Sequence, residues 1–382
     1  MTALRILVLV HEYPPIGGGG GRVAQEVARG LAARGHHLRV LTSHYRNLPR
    51  RAHDLGVEVW RVPACRRQAF RAGLGTMSCY VAAAFWQGWI LSRTWRPHVI
   101  HAHFAVPAGA AAWALSRVTG IPYVLTAHLG DVPGGVPEKT GAWFRWVYPF
   151  SRLIWRAAAR ITAVSEYTAQ LARAHYPVDV RVIPNGVDVA ALRPRTLQVA
   201  NPPRIVFAGR FVPQKNPLAV VETLARLRDL PWHCIMLGDG PLRSQIQAAI
   251  QQHGLQERFT LPGWVTPEEV LETFERSDIL FMPSRQEGLP VVGLQALAKG
   301  LVIVAGKAGG FVEIAEASGG YVLESDDVAG FAAVLRALLA HPEDLSRRKQ
   351  RSLQAARQYD LNRVVVPRYE EVLQEAATRQ KG

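Results

Sequence analysis

Two cations and one carboxylate follow two apolar runs in the second half of the chain. Arg210 and Lys215 follow the run 204–208, and Glu287 follows the run 278–282. Each run is typical of a buried parallel strand. A guanidinium fork and an ammonium group five residues later are suited to the oxygens of a diphosphate. We therefore predict that Arg210 and Lys215 bind a diphosphate.

The segment Pro283–Gly300 reads as a turn followed by a helix whose first turn is Leu289–Gly293. The first N–H groups of a helix are unpaired and carry partial positive charge, so they bind anions. We predict that the main chain of Gly288, Leu289, Pro290 and Val291 also contacts the diphosphate. The carboxylate of Glu287 would be repelled by phosphate, so we expect it to face a neutral, hydroxyl-rich part of the ligand.

A run of glycines, Gly17–Gly21, connects the predicted strand Arg5–Val10 to the predicted helix Val23–Ala33. Glycines at this position let the main chain approach an anion closely. A dinucleotide fingerprint is disfavoured, because it needs glycine in place of Arg22 and an acid after the second strand, Leu38–Leu41. A loop that is merely flexible is the alternative.

Two histidines lie near the end of another predicted strand. His101 and His103 lie two residues apart on the predicted strand Val99–Phe104 and point the same way. No third ligand accompanies them, so we predict no metal site. The chain also lacks an Asp-x-Asp motif, since Asp326 and Asp327 are adjacent.

The 382 residues, 48% of them hydrophobic, suffice for two or three domains. Cys65, Cys79 and Cys234 are far apart in sequence and show no pairing pattern, which indicates a reducing compartment and a cytoplasmic location. The first ten residues are too short an apolar run for a signal peptide, and we interpret them as the first strand.

The net charge of +15 is concentrated in the first half. Residues 1–192 hold 22 lysines and arginines against 9 acids, whereas residues 193–382 are close to neutral. Nucleic acid, an anionic membrane or an acidic acceptor would each suit this charge. We predict no nucleic-acid partner, because neither zinc-finger spacing nor a ribonucleoprotein aromatic motif is present.

The 21 residues of Ala72–Ser92 carry no charge and could cross a membrane by length alone. They lie between predicted strands of one sheet, so we predict a buried or surface-lying amphipathic helix instead. Segments 66–96 and 143–156 combine arginines with aromatic residues, as helices at an anionic membrane surface do. A core helix with solvated arginines is the alternative.

The motif around Glu287 resembles that of family-4 retaining glycosyltransferases of GT-B architecture. The resemblance extends to V-I-P-N-G-V-D at 182–188 and to Ala127–Asp131, which is similar to the T-x-H-G-x-D turn of that family. The family has a second glutamate eight positions after the first, where this chain has Gln295. The matching motif residues are Ser284, Glu287, Gly288, Leu297 and Gly300.

The resemblance implies an α/β fold of two Rossmann-like parallel-sheet domains that face each other across a cleft. The first domain would span 1–192 and the second, which binds the nucleotide sugar, 204–360. Residues 193–203 would form the linker. Residues 361–382 would form a helix that crosses back to the first domain.

The resemblance also implies roles for individual residues. His128 and Glu287 would be catalytic, with His128 contacting the donor sugar, although a purely structural histidine is the alternative. Gly17 and Gly18 would reach the donor phosphate, and Gln295 would bind the ribose as a neutral partner. The base pocket would be formed by Gly238, Trp264 and Val265.

The implied reaction moves a sugar from a UDP- or GDP-sugar to a hydroxyl acceptor with retention and without a metal ion or cofactor. The basic aromatic segments 66–96 and 143–156 further predict a glycan or lipid-linked acceptor of the cell envelope, reached at the inner face of the membrane. Two alternatives remain open: a nucleotide-sugar epimerase of the same architecture, and a catalytically silent binding or membrane-surface protein, for which Gln295 is the best argument.

Overall fold

The computed structural model describes residues 2–69, 72–135 and 148–378. Contacts divide the chain into two compact units: Met1–Asn185 with Leu361–Gly382, and Gly186–Asp360. The predicted membrane-facing segments 66–96 and 143–156 are covered in part, because residues 70–71 and 143–147 lie outside the described residues.

The sheet of the first unit brings the glycine run and the histidines to one edge. Its strands are β1 (Arg5–Leu9), β2 (His37–Ser43), β3 (Arg51–Asp54), β4 (Val57–Val62), β5 (Val99–His103), β6 (Tyr123–Ala127), β7 (Arg160–Ala163) and β8 (Arg181–Val182). Among the described residues their order is β3-β4-β2-β1-β5-β6-β7-β8. Since β1 pairs with β2 on one side and β5 on the other, the loops after β1 and β5 diverge at a topological switch point, where open α/β sheets bind ligands.

The first sheet is parallel except at one edge, where β3 pairs antiparallel with β4. Leu55 and Gly56 connect these strands with φ of 45° and 86°. Two positive φ values suit a tight hairpin. The sequence Arg-Ala-His-Asp of β3 has no apolar run, so hydrophobic patterning gave no signal for this short edge strand.

The sheet of the second unit is wholly parallel among the described strands. These strands are β9 (Arg204–Ala208), β10 (His233–Leu237), β11 (Phe259–Gly263), β12 (Ile279–Met282), β13 (Val302–Gly306) and β14 (Tyr321–Leu323). They lie in the order β11-β10-β9-β12-β13-β14, so the switch point falls between β9 and β12. All four residues of β12 are buried, as the apolar run predicts.

Helices cover both sheets. Their bounds are α1 (Gly19–Ala33), α2 (Leu74–Thr94), α3 (Ala110–Thr119), α4 (148–157), α5 (Glu166–His175), α6 (Pro217–Ala225), α7 (Arg243–Gln252), α8 (Pro267–Glu275), α9 (Val291–Ala298), α10 (Gly310–Ser318), α11 (Val328–Ala340), α12 (Pro342–Ala356) and α13 (Val366–Thr378). No helix among the described residues is both long and apolar enough to span a bilayer.

Helix α1 begins four residues earlier than predicted, so the last three residues of the glycine run form its first turn. A side chain at Gly21 would place its Cβ 2.5 Å from the carbonyl oxygen of Glu12. Close packing of helix on loop therefore requires glycine here, even though glycine is a poor helix former.

Helix α2 buries one face, which carries Tyr80, Ala84, Gly88 and Leu91. It also brings Cys79 to Cys65, with the two sulfur atoms 2.7 Å apart. Their separation of fourteen residues in sequence gave no sign of this contact.

The C-terminal helix α13 packs within the first unit. Its Glu370 accepts a hydrogen bond from Arg34 Nε at 2.7 Å and lies 3.0 Å from His36 Nε2. Val366 fills the space beside Gly30 of α1. Residues distant in sequence thus complete the layer of helices over the first sheet.

Candidate active site

The loops after β9 and β12 carry the residues predicted to bind a diphosphate. Because β9 and β12 are paired in parallel, their carboxyl ends place the two loops side by side. The side chain of Gln214 donates to the carbonyl oxygen of Gln286 at 2.9 Å, and Arg285 N–H donates to Gln214 O at the same distance. The loops therefore form one connected structure at the switch point of the second sheet.

Within this structure, the ammonium group of Lys215 forms an ion pair with the carboxylate of Glu287. Glu287 is only 6% exposed, and Lys215 is half-buried. The guanidinium of Arg210 is half-buried too and has no hydrogen bond or ion pair with the described parts of the chain. The sequence placed all three residues correctly on these loops but did not indicate that Lys215 and Glu287 contact each other.

Helix α9 starts next to Glu287. It begins at Val291, two residues later than predicted, with Pro290 as the residue before its first turn. Gly310 at the start of α10 donates its N–H to Gly288 O at 2.6 Å, and a Cβ at Gly310 would lie 2.0 Å from that oxygen. This close approach fixes the Gly288 carbonyl against α10. Gln295 lies one turn beyond Val291 on α9 and is half-buried.

Hydrogen bonds that the sequence did not predict support the loop after β12. Ser325 Oγ donates to Ser284 O at 2.7 Å, and Asn216 Nδ2 donates to Ser325 O at 2.8 Å. Asp326 accepts from Arg285 at 2.7 Å. The Ser284 hydroxyl itself is buried without a hydrogen-bond partner among the described residues. Only the fold reveals this support, because Ser325 and Asp326 are about forty residues away in sequence.

The predicted base-pocket residues follow the neighbouring strands β10 and β11. Gly238 donates its N–H to Gly263 O at 2.9 Å, and Gly209 donates to Leu237 O at 2.9 Å. These bonds align the strand ends, so Gly238 lies at the same sheet edge as Arg210. Trp264 is 66% exposed and Val265 is half-buried.

In the first unit, the glycine loop is held by Glu12. Glu12 Oε2 accepts the N–H of Gly18 at 3.0 Å, and Gly17 donates its N–H to Ala69 O at 2.9 Å. Gly17 has φ of 93°, and a Cβ there would collide with the Glu12 side chain. Burial alone would raise the pKa of Glu12, but the hydrogen bond and charge of His11, the Gly18 N–H and the Arg66 charge lower it to about 2. The Gly18 N–H, which was predicted to contact a phosphate, therefore donates to a carboxylate of the protein itself.

His128 follows β6 and is buried against the loop after β5. Its ring stacks on Phe104, with centroids 4.4 Å apart, and its Nε2 lies 3.4 Å from Nδ1 of His103. Burial lowers the pKa of His128 to about 4, so the imidazole is neutral at pH 7. A neutral imidazole can donate or accept a hydrogen bond to a sugar hydroxyl.

Asp131 fastens the loops that carry His128 and Phe104. Its Oδ2 accepts the N–H of His128 at 2.8 Å, and its Oδ1 accepts the N–H of Ala105 at 2.9 Å. Burial raises the pKa of Asp131 to about 7, against the opposing effect of these backbone donors. The sequence contained Asp131 only as the last residue of a turn motif and gave it no role.

His101 and His103 lie one behind the other on β5, with ring centroids 4.3 Å apart. His101 Nε2 lies 2.8 Å from Thr126 Oγ1. Within the described ranges, no group of three or more histidine, cysteine, aspartate or glutamate side chains is arranged to hold a metal ion.

Comparison with solved structures defines the architecture. Sucrose-phosphate synthase from Thermosynechococcus elongatus superposes with a TM-score of 0.85 at 18% identity, covering 98% of this chain and 100% of that one. HepE from Anabaena, solved with UDP-glucose, superposes with a TM-score of 0.74 at 18% identity, again covering 98% and 100%. The protein therefore has the GT-B fold, as predicted.

Sequence comparison defines the family. Residues 17–191 match the model for Glycosyltransferase Family 4, and residues 188–355 match the model for Glycosyl transferases group 1. A 2-deoxystreptamine N-acetyl-D-glucosaminyltransferase from Streptomyces fradiae is 30% identical over 347 residues, which span 81% of each chain. The chain belongs to the family-4, group-1 glycosyltransferases, and the resemblance carried by the motif around Glu287 is confirmed.

Proposed function

We propose that this glycosyltransferase moves a sugar from a nucleoside-diphosphate sugar to a hydroxyl acceptor, with retention of configuration and without a divalent metal ion. The observation that supports this proposal best is the convergence of Arg210, Lys215, Glu287 and the start of α9 at the switch point of the second sheet. This edge combines cations, main-chain donors and one carboxylate within two connected loops.

The proposed donor site assigns one chemical task to each group. Arg210 and the first N–H groups of α9 bind the diphosphate, and Lys215 adds a second cation while it stays close to Glu287. Glu287 accepts hydrogen bonds from hydroxyls of the transferred sugar. Gln295 binds the ribose, and the base lies near Gly238, Trp264 and Val265. The UDP-glucose complex of HepE supports a uridine nucleotide as the first candidate donor.

In the proposed reaction, the bond between the anomeric carbon and the β-phosphate oxygen breaks as the acceptor oxygen bonds to that carbon on the same face. The proton of the acceptor hydroxyl passes to the departing phosphate oxygen, so no protein base is needed. Arg210, Lys215 and the α9 N–H groups stabilise the charge on the leaving diphosphate, the task that a metal ion performs elsewhere. Neutral His128 hydrogen-bonds the sugar as positive charge develops at the reacting carbon.

The donor proposal is tested by thermal shift with UDP, GDP, ADP and their sugar conjugates in EDTA. A ligand at about 100 times its dissociation constant should stabilise by about 2.7 kcal/mol and raise the Tm by a few degrees. The shift should disappear in Arg210→Ala and persist in Arg276→Ala, since Arg276 is exposed at the other end of β12. A folded protein that responds to none of these nucleotides, or one that requires Mg²⁺, would contradict the proposal.

We further propose that the acceptor is a lipid-linked or cell-envelope glycan reached at an anionic membrane surface. Trp86 on α2 is 60% exposed and Phe150 on α4 is 68% exposed, unusual values for such large apolar side chains. Arg93 stacks on Trp89 with its Cζ 4.7 Å from the ring centroid, and Arg152 of α4 is exposed. Cations beside exposed aromatic rings suit the headgroup region of an anionic bilayer.

Co-sedimentation with vesicles tests this surface. The protein should bind vesicles that contain phosphatidylglycerol, bind phosphatidylcholine vesicles poorly, and dissociate as salt rises. Trp86→Ser should weaken binding, whereas Trp264→Ser in the second unit, which removes a slightly more exposed tryptophan, should not. Equal binding by both variants and wild type, or none to either vesicle, would contradict the membrane proposal but leave the donor proposal intact.

A further inference from the structure

The two cysteines of the first unit, Cys65 and Cys79, lie next to each other in the structure. Cys79 Sγ donates a hydrogen bond to Cys65 Sγ over 2.7 Å. A disulfide has an S–S length of about 2.05 Å, so a small rotation of either side chain would bring the sulfur atoms to bonding distance. Both residues carry free thiols.

The environment of the pair makes it reachable from solvent. Cys65 is exposed, and Cys79 is partly exposed in the second turn of α2. The two residues line a pocket of about 370 Å³ together with Arg67, Gln68, Gly73 and Thr76. A small oxidant can therefore reach both sulfur atoms.

The main chain holds Cys65 in an unusual conformation that favours the pair. Its φ is 49°, in the left-handed region that residues with a Cβ rarely adopt. The Thr76 hydroxyl donates to the carbonyl oxygen of Cys65 at 3.4 Å, which ties this residue to the first turn of α2. The left-handed turn and the helix start together direct Cys65 toward Cys79.

We propose that Cys65 and Cys79 are a reversible redox site that forms an intramolecular disulfide when the protein meets a peroxide. The Cys65 thiolate attacks one peroxide oxygen and becomes a sulfenic acid, releasing the first water after proton transfer. The Cys79 thiolate then attacks the Cys65 sulfur and displaces hydroxide, which takes up a proton to give the second water. The two thiols lose two protons and two electrons in total, and the peroxide is reduced to two waters.

The disulfide would lock a segment that supports the glycine loop. Arg66, next to Cys65, donates to His11 O at 3.1 Å and to Ala69 O at 2.9 Å. Ala69 O also accepts the N–H of Gly17. Oxidation would therefore fasten the segment behind the glycine loop to α2. This attachment of the segment to α2 would follow from the disulfide whether or not the protein transfers a sugar.

The test uses the full-length reduced protein and hydrogen peroxide, followed by intact mass, peptide mapping and thiol titration under native conditions. We expect the loss of two hydrogen atoms in mass, the loss of both reactive thiols, a cross-linked peptide containing Cys65 and Cys79, and full reversal by dithiothreitol. The Tm should rise by a few degrees on oxidation, because the cross-link restrains the unfolded chain. Cys234 is buried, and burial raises the pKa of its thiol, so Cys234→Ala should behave like wild type.

Single variants separate this site from ordinary cysteine oxidation. In Cys79→Ser, we expect Cys65 to stop at the sulfenic acid or gain further oxygen, and in Cys65→Ser we expect Cys79 to oxidise several-fold more slowly than Cys65 does. Gain of oxygen by wild type without loss of two hydrogens would overturn the proposal. Formation of a covalent dimer through Cys65 would overturn it as well.

Discussion

Lys215 and Glu287 form an ion pair that joins the loop after β9 to the loop after β12. Their side chains are 16% and 8% exposed, so each charge is largely shielded from water. A buried charge is tolerated when its partner is present and becomes costly when the partner is removed. Removing either charge should therefore destabilise the proposed donor site, and each residue can be tested by changing the other.

Lys215→Met should lower the free energy of unfolding by about 3–5 kcal/mol, because it leaves the Glu287 carboxylate buried without a partner. Glu287→Gln alone should cost less, since Lys215 is the more exposed of the two. The double variant should regain a large part of the loss. Urea unfolding of the four proteins measures this coupling. Additive losses would show that the ion pair is not significant in solution.

Gly310→Ala should weaken binding of the donor nucleotide by about tenfold or more. The new Cβ would lie 2.0 Å from Gly288 O and 2.8 Å from Leu289 Cα, so the start of α9 must move. Overpacking of this kind costs about 1–3 kcal/mol of stability. Isothermal titration with the nucleotide that gives the thermal shift measures the affinity.

Gly75→Ala is the matched control for this substitution. Gly75 lies within α2, and no heavy atom would come within 4 Å of its Cβ. We expect unchanged nucleotide affinity and a stability gain of up to about 1 kcal/mol from the better helix former. Similar losses in both variants would mean that the contact between α10 and Gly288 has no special role.

Gln295→Leu should reduce affinity for a ribonucleotide about fivefold, because the proposed hydrogen bond to the ribose is lost. The same variant should bind the dideoxy form of the nucleotide as wild type does, since that ligand lacks the hydroxyls. Gln295→Glu should strengthen binding of the ribonucleotide, because a charged acceptor forms a stronger bond. Titration of both ligands against the three proteins tests the assignment. An equal loss for both ligands in Gln295→Leu would remove Gln295 from the ribose site.

The positions of the loops after β9 and β12 were predictable because each loop follows a buried apolar strand, and paired parallel strands bring their carboxyl ends together. Arg210 and Glu287 were placed on those loops from spacing alone. The contact of Lys215 with Glu287 was not predictable, because it depends on the exact conformations of both loops. The cysteine pair escaped detection for a similar reason. It depends on the left-handed conformation of Cys65, which sequence patterning does not indicate.

Three buried histidines should make the first unit sensitive to acid. His101, His103 and His128 are at most 8% exposed. Burial lowers the pKa of His101 to about 3, that of His103 well below its usual value, and that of His128 to about 4. In the unfolded chain these groups titrate near 6.5. Below that pH the unfolded state binds protons that the folded state excludes, so stability falls as the pH drops from about 6.5 toward about 4.

Each buried histidine should contribute about 1.4 kcal/mol per pH unit to this slope. Asp131, whose pKa burial raises to about 7, should oppose it by a similar amount, so the four groups together give about 3 kcal/mol per pH unit. His103→Asn should lower the slope by about half, because it removes one of about two net excluded protons. His53→Asn should leave the slope unchanged, since His53 is exposed on β3. Urea unfolding of the three proteins between about pH 4.5 and 6.5 measures the slopes. This range lies within the interval in which stability is expected to change. A wild-type stability that does not change over this range would show that the histidines accept protons in the folded protein about as readily as in the unfolded chain.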